Sequence, residues 1–135
     1  MTSIVTYDSN LRTTCVHLQS GSSIQTDAPT DNQGKGERFS PTDLIATGLG
    51  ACMITTMGIK AASMSIALDG AKVEVTKIMK ADPRRIGKII AHLTMPSGLN
   101  LDEKTKEILE RVARTCPVER SLHPDVELDI AFNWG

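Results

Sequence analysis

Aromatic residues are scarce in this sequence, and neither sign of charge is in excess. Only 3% of the 135 residues are Phe, Trp or Tyr, whereas proteins that bind single-stranded nucleic acid stack the bases on such rings. Lys and Arg number 15 against 16 Asp and Glu, a formal net charge of -1, so no basic surplus is available to neutralise a phosphate backbone. The composition therefore argues against a nucleic-acid-binding protein and predicts an aliphatic core.

Signals for export or membrane insertion are also missing from the pattern. The first residues show no basic start followed by a long apolar run, which excludes a typical secretory signal. The longest apolar stretch, residues 44–62, contains three glycines and a lysine, which favours a buried helix over a membrane span. Three cysteines, an odd number at wide spacing, do not fit a disulfide-rich secreted scaffold. We expect a cytoplasmic protein with reduced thiols and no membrane partner.

The hydrophobic patterning predicts one α+β domain over residues 1–135. The first half of the chain is expected to form three antiparallel strands within 3–26, a polar loop at 27–39 and a helix to residue 62. Strands at 73–79 and 86–94 follow, and then a helix capped by Asn100 with Glu103 in the capping box. A short helix after Pro117 and a half-buried strand at 126–132 complete the expected elements.

The strongest local signal is the start of the long helix. Ser40 can cap the free N–H groups, Pro41 suits the first helical position, and Asp43 completes a capping box. Apolar residues then cover nearly every face of the helix, which predicts a central, buried element.

The glycines of this helix, Gly48, Gly50 and Gly58, each cost about 1 kcal/mol relative to Ala in a helix interior. Such a cost suggests close packing of the backbone against another element. A second copy of the same helix is a natural candidate for that element.

Two of the cysteines lie where their chemistry could matter. Cys52 falls in the middle of the long helix, where it is either a small core residue or a reactive thiol. Cys116 stands directly before Pro117 and would cap a short helix, a placement that lowers the pKa of a thiol. Arg111, Arg114 and Arg120 add positive charge nearby.

The segments around these two cysteines resemble those of the OsmC/Ohr family. The run Ser40-Pro41-Thr42-Asp43-Leu44, followed by Ala46-Thr47-Gly48-Leu49-Gly50-Ala51-Cys52, looks like the family's central-helix motif, and Cys116-Pro117 looks like its second cysteine motif. The resemblance implies an intertwined α+β homodimer in which antiparallel sheets wrap around long central helices. It also implies thiol-dependent reduction of organic hydroperoxides, with no metal, flavin or haem as cofactor.

In that family the first cysteine attacks the peroxide and the second resolves the product. The resemblance therefore implies that Cys52 becomes a sulfenic acid, that Cys116 condenses with it to a disulfide, and that an external dithiol restores both thiols. A buried thiolate needs a positive partner, and the resemblance implies an arginine from the early strands, for which Arg12 is the first candidate and Arg38 the second. The resemblance also implies a carboxylate near the start of the central helix that steadies the arginine, for which Asp43 is the candidate.

Helix geometry adds a constraint on Asp43. It lies nine residues before Cys52, which is ~13–14 Å along a helix axis and on the opposite side. Asp43 would therefore act on the Cys52 of a second chain, and we expect a composite site at a two-fold interface.

The sequence leaves open one alternative function and one alternative site. The same fold could bind an apolar ligand without peroxidase turnover, since Thr42 stands where many family members have Glu. Cys15 and His17 share one face of a strand and could begin a metal site, although no further ligand is visible nearby.

Overall fold

The structure, a computed structural model, describes residues 1–135. Two compact units make up the chain, Met1–Ile45 and Ala46–Gly135. The division falls within the first turns of the long helix, and the expectation of one domain over the whole chain stays a prediction.

The observed elements confirm the α+β class. In chain order they are β1 (Ser3–Ser9), β2 (Arg12–His17), β3 (Ser23–Asp27), α1 (Pro41–Ser63), β4 (Lys72–Lys80), β5 (Arg85–Thr94), α2 (Glu103–Ala113), α3 (Pro117–Ser121) and β6 (Glu127–Asn133). The polar loop before α1 contains one 3₁₀ turn, Thr30–Asn32.

The first unit is built on the expected antiparallel meander, in the order β1-β2-β3. Its fully buried side chains are polar, namely Thr26, Asp27 and Ser40, whereas Val5 is 61% and Tyr7 65% exposed. Contiguous apolar residues that face water mark interaction surfaces in folded proteins. This sheet therefore has apolar surface available for a further partner.

The second unit contains a sheet in the order β4-β5-β6. Strand β5 pairs with β4 in antiparallel orientation but with β6 in parallel orientation, for example Ile89 opposite Leu128. The expected antiparallel pairing is therefore observed for β1-β2-β3 and for β4 with β5, and the structure departs from it only where β6 pairs with β5. The chain leaves β5, passes through α2 and α3, and returns as β6, and a helical crossover of this kind joins parallel strands.

The hydrophobic core lies in the second unit, between this sheet and one face of α1. The buried residues of α1 are Ala46, Leu49, Gly50, Met53, Met57 and Ala61. All of them except Gly50 pack with Ile89 and Leu93 of β5 and with Leu109 of α2 in one apolar cluster.

Burial of α1 on all sides, as the sequence predicts, does not occur within one chain. Ile59 on the other side of the helix is 70% exposed. By length and composition alone α1 is also apolar enough to cross a membrane, yet its buried face belongs to the core described above.

One glycine of α1 makes the close backbone approach expected of it. A Cβ atom added at Gly50 would lie 2.7 Å from Val75 Cγ2 and 3.2 Å from Val73 Cγ1, both on β4 of the same chain. At Gly48 and Gly58 an added Cβ meets nothing within 4 Å. The packing of these two glycines against a second copy of α1 stays a prediction.

The cap of α2 differs from the expected one. Asp102, not Asn100, is the N-cap, and its Oδ1 accepts a hydrogen bond of 2.8 Å from the backbone N–H of Thr105. Hydrogen bonding to the side chain and then to the backbone of Thr105 lowers the pKa of Asp102. Both residue types cap helices well, and the start of the helix at Glu103 decides between them.

Candidate active site

The structure brings the thiols of Cys52 and Cys116 together within the second unit. Cys52 lies on α1 and is half-buried, whereas Cys116 is fully buried in the core cluster. Cys52 packs against the cluster that contains Cys116, the Cys52 thiol helps to raise the pKa of Cys116, and both are free thiols. Two cysteines that are far apart in the sequence thus form one pair.

The local sequence explains how Cys116 reaches this position. Cys116 has an extended backbone, with φ -70° and ψ 152°, and Pro117 occupies the first turn of α3. The backbone N–H of Glu119 donates a hydrogen bond of 3.5 Å to Cys116 Sγ. The prediction that Cys116 caps a short helix is therefore confirmed.

The expected effect of this cap on acidity is wrong. Burial raises the pKa of Cys116, and the neighbouring Cys52 thiol and the charge of Glu119 raise it further, against the single opposing N–H of Glu119. The removal of water from a thiolate destabilises it by more than one capping hydrogen bond stabilises it. Cys116 is consequently held in its neutral, protonated form.

Glu119 is a residue of this site that the sequence analysis did not single out. Its Oε2 atom is buried and has no hydrogen-bond partner. Burial raises the pKa of Glu119, while the charges of Arg114 and Arg120 oppose that rise. Its place in the first turn after Cys116 was readable from the sequence, but the burial of its carboxyl group was not.

Arg12 belongs to a polar cluster of the first unit. Its guanidinium binds Asp27 through two hydrogen bonds, of 2.7 Å from Nε and 2.8 Å from Nη2, and Glu37 at 3.3 Å. The backbone N–H of Glu37 donates a further hydrogen bond of 3.1 Å to Asp27 Oδ2. The Asp27 side chain is 1% exposed and that of Arg12 is 23% exposed.

The hydrogen bonds from Arg12 lower the pKa of Asp27 from 3.8 to about 2, and Asp27 in turn raises the pKa of Arg12. Asp27, which the sequence did not single out, is the carboxylate that binds Arg12 in this chain, and a supporting role of Asp43 stays a prediction. The contact follows from the register of β2 and β3, in which Arg12 and Asp27 are direct partners.

Arg38 and Asp43 make other contacts. Arg38 donates to Gln25 Oε1 at 3.2 Å and to the backbone oxygen of Glu37 at 3.0 Å. Asp43 and Ser40 form the expected capping box, with hydrogen bonds of 2.9 Å and 3.0 Å. The roles of Arg12, Arg38 and Asp43 beside a thiolate stay predictions, because these three residues lie in the first unit and the cysteine pair lies in the second.

Cys15 and His17 have local partners on the first sheet. Cys15 Sγ is 3.8 Å from Thr13 Oγ1, and His17 Nδ1 is 2.6 Å from Ser20 Oγ. No group of three or more His, Cys, Asp or Glu side chains in the chain is arranged to hold a metal ion.

An apolar groove runs between α1 and β4 in the second unit, with a volume of about 220 Å³. The residues that line it are Thr47, Gly50, Ala51, Ile54, Ala71, Val73 and Val75. Aliphatic surface of this kind accepts the hydrocarbon part of a ligand.

Comparison with known proteins identifies the family. The sequence model of OsmC-like proteins matches residues 34–131, which include both cysteines of the pair and most of the second unit. The chain belongs to the OsmC family.

Solved OsmC structures share its fold. The crystal structure of a candidate osmotic stress induced and detoxification response protein from Psychrobacter arcticus 273-4 is 51% identical, with a TM-score of 0.93 over 98% of this chain and 96% of that one. An organic hydroperoxide resistance protein OsmC from Legionella pneumophila is 19% identical, with a TM-score of 0.76 over 99% of this chain and 98% of that one. The OsmC/Ohr fold is thereby confirmed.

A curated OsmC relative carries a functional name. The hydroperoxide reductase of Mycoplasma genitalium (strain ATCC 33530 / DSM 19775 / NCTC 10195 / G37) is 25% identical over 127 residues, which cover 91% of this chain and 85% of the relative. This OsmC chain thus has a distant homologue named for the reduction of hydroperoxides.

Proposed function

We propose that this protein is a thiol-dependent peroxidase that reduces organic hydroperoxides with Cys52 and Cys116. The observation that carries the proposal is the packing of the half-buried Cys52 against the core cluster that contains the fully buried Cys116, whose pKa the Cys52 thiol helps to raise. Two thiols of one cluster can form a disulfide when their Cα atoms lie within about 4.4–6.8 Å of each other. The name of the Mycoplasma genitalium relative supports the same reaction class.

The proposed cycle has three steps. The Cys52 thiolate attacks the O–O bond of the hydroperoxide, which leaves Cys52 as a sulfenic acid and releases the alcohol. The sulfur of Cys116 then displaces the sulfenic oxygen, so that a disulfide forms and water leaves. An external dithiol finally reduces the disulfide by exchange, and the protein itself needs no metal or organic cofactor.

The raised pKa of Cys116 supports this division of roles. A thiol that stays protonated reacts slowly with peroxide, because the thiolate is the nucleophile. Cys116 is thereby kept reduced until a sulfenic acid has formed beside it. Attack by Cys116 as the second nucleophile fits this protection.

Arg12 is our first candidate for the cation that stabilises the Cys52 thiolate, and Arg38 is the second. The bidentate contact with Asp27 holds the Arg12 guanidinium in one orientation, which a fixed electrostatic partner requires. The contacts of Arg38 are to a neutral amide and to a backbone oxygen.

We further propose that the active form is a homodimer, with Asp43 of one chain near Cys52 of the other. The apolar side chains that one chain leaves exposed support this, notably Val5 and Tyr7 on β1 and Ile59 on α1. Large apolar side chains that face water are typical of protein interfaces when they form a contiguous surface.

The apolar groove between α1 and β4 favours an organic substrate over hydrogen peroxide. Its aliphatic lining provides no charged group for a small polar ligand, and burial of the alkyl part of a hydroperoxide contributes about 0.8 kcal/mol for each CH₂ group. We expect the protein to work in the cytoplasm, where dithiol reductants are available.

The test is to add cumene hydroperoxide to the reduced protein and to count free thiols. We expect the wild type to lose two thiols, and the Cys116→Ser variant to accumulate a sulfenic acid at Cys52. Cys15→Ser is the matched control and should behave as the wild type. A two-thiol loss that persists in Cys52→Ser would refute the assignment of Cys52.

The second candidate function is binding of an apolar ligand on the same fold, which the lining of the α1–β4 groove favours. In that case the reduced protein should bind a fluorescent fatty acid and keep all its thiols during prolonged exposure to cumene hydroperoxide. Consumption of the hydroperoxide at a rate that depends on Cys52 would exclude this function.

A further inference from the structure

Glu119 lies in the first turn of α3, the short helix that Cys116 caps. The backbone N–H of Glu119 contacts Cys116 Sγ at 3.5 Å, and the negative charge of its side chain acts on the same thiol. Its Oε2 atom is buried without a hydrogen-bond partner. A buried carboxylate oxygen that lacks a partner is costly to maintain, so its presence at a reactive thiol calls for an explanation.

We propose that Glu119 is the proton-transfer residue of disulfide formation: it accepts the proton of the Cys116 thiol and delivers it to the oxygen that leaves Cys52. The inference rests on the proposed peroxidase function. In this step the S–S bond forms and the S–O bond of the sulfenic acid breaks. The Cys116 sulfur is oxidised and the Cys52 sulfur is reduced. The thiol proton passes through the Glu119 carboxylate to the leaving oxygen, which departs as water together with its own proton.

The buried site creates the need for such a residue. Cys116 is protonated when a sulfenic acid forms, because burial raises the pKa of its thiol. The leaving oxygen would be a hydroxide ion in the same poorly hydrated place unless it receives a proton. A single carboxyl group can remove the proton of the Cys116 thiol and deliver it to the leaving oxygen. Acid–base catalysis of this kind contributes about 10²–10⁴-fold in rate.

The charged surroundings of Glu119 are compatible with this task. Burial raises the pKa of its carboxyl group, which makes the carboxylate a stronger base, and Arg114 and Arg120 oppose the rise and favour the ionised form that can accept a proton. The other titratable groups at this position are the thiols of Cys52 and Cys116.

The charge of Glu119 and its proton transfer act on the reaction in opposite directions. As a charge, Glu119 raises the pKa of Cys116, so its removal alone would make Cys116 a better nucleophile and accelerate disulfide formation. As a proton acceptor, its removal would slow the same step. The sign of the effect of Glu119→Gln therefore separates the two roles.

The experiment follows the step itself by rapid quenching and mass spectrometry. Cumene hydroperoxide is mixed with reduced wild type, Glu119→Gln and the control Glu107→Gln, which removes the charge of an exposed glutamate on α2. We expect the decay of sulfenic acid to disulfide at neutral pH to be about 100-fold slower in Glu119→Gln and unchanged in Glu107→Gln. An equal or faster decay in Glu119→Gln would overturn the inference.

The wild type alone provides a second measurement, which holds even where the variant folds poorly. With Glu119 as proton acceptor, the rate of disulfide formation should be independent of pH between the pKa of Glu119 and the pKa of Cys116. A rate that instead rises tenfold per pH unit through this interval would show direct ionisation of Cys116 and contradict the proposal. If the wild type forms no sulfenic acid with peroxide at all, the proposed peroxidase function fails, and this outcome is distinct from either result above.

Discussion

At the scale of single residues, the contact between Arg12 and Asp27 links a buried carboxylate to the pH dependence of folding. The pKa of Asp27 falls from 3.8 to about 2 in the folded chain. A carboxyl group with a lowered pKa in the folded state adds stability above its unfolded pKa, and this contribution is lost as the pH falls through the folded pKa.

We therefore predict that the wild type loses stability between about pH 4 and pH 2, and that Asp27→Asn lacks most of this loss while being less stable at neutral pH. Urea unfolding at a series of pH values measures the effect. Asp69→Asn, at an exposed aspartate, is the matched control. An acid transition of the same size in Asp27→Asn would contradict the contribution of this ion pair.

A second prediction at this scale concerns the two arginine candidates. Arg12→Gln should lower the second-order rate constant for cumene hydroperoxide by about 100-fold, because the loss of a preorganised cationic donor at a reacting centre costs roughly 10²–10³. Arg38→Gln should change it less than fivefold. Stopped-flow measurement of sulfenic acid formation in a Cys116→Ser background compares them directly. The reverse order would assign the role to Arg38.

A property of a single residue can be predicted from the sequence when it depends only on residues that are close in the chain. The cap at Cys116 follows from Cys116-Pro117 alone, since proline suits the first turn of a helix. The raised pKa of that thiol depends on Cys52 and on burial by distant parts of the chain, which no local pattern encodes. The partnership of Asp27 with Arg12 likewise requires the register between two strands.

At the scale of elements, Gly50 shows how tightly α1 is packed on β4. The added Cβ of Gly50→Ala would lie 2.7 Å from Val75 Cγ2, so we predict a loss of about 1–3 kcal/mol in the free energy of unfolding. Gly48→Ala is the control in the same helix, where an added Cβ has open space within one chain, and at concentrations at which the protein is monomeric it should stay within about 1 kcal/mol of wild type. Chemical denaturation measures both, and equal values for the two variants would contradict the close packing.

The elements themselves are largely predictable from the sequence, because hydrophobic period and helix caps are local signals. The strands of the first meander and the start of α1 illustrate this. The parallel pairing of β6 with β5 is not local, since it depends on how the connection through α2 and α3 returns to the sheet. The one-sided burial of α1 could not be read from a helix that is apolar on nearly all faces.

At the scale of the whole molecule, the proposed composite site makes a prediction about mixtures. Cys52→Ser and Asp43→Asn should each have little activity. A heterodimer of the two holds one site with both residues intact, because the subunits contribute them reciprocally. Refolding the two variants together should recover about a quarter of wild-type activity, since about half of the dimers are mixed and each has one working site in two.

Peroxide consumption measures this recovery, and sedimentation velocity establishes the oligomeric state beforehand. Separately refolded variants combined after dimer formation are the control. A sedimenting species of monomer mass with full activity, or no recovery in the mixture, would remove the composite site.

The first sheet has a consequence for the chain during its synthesis. Ile4 and Val5 are 49% and 61% exposed, and consecutive side chains on a strand point to opposite faces. Burial of one face alone would leave the apolar side chains of the other face in water, so we expect the proposed homodimer to cover both faces. A newly synthesised chain that has not yet met a second copy would expose apolar side chains on both faces of the sheet. Recovery of the intact protein should therefore improve when translation is slowed by cold or when a chaperone that binds unfolded chains is supplied.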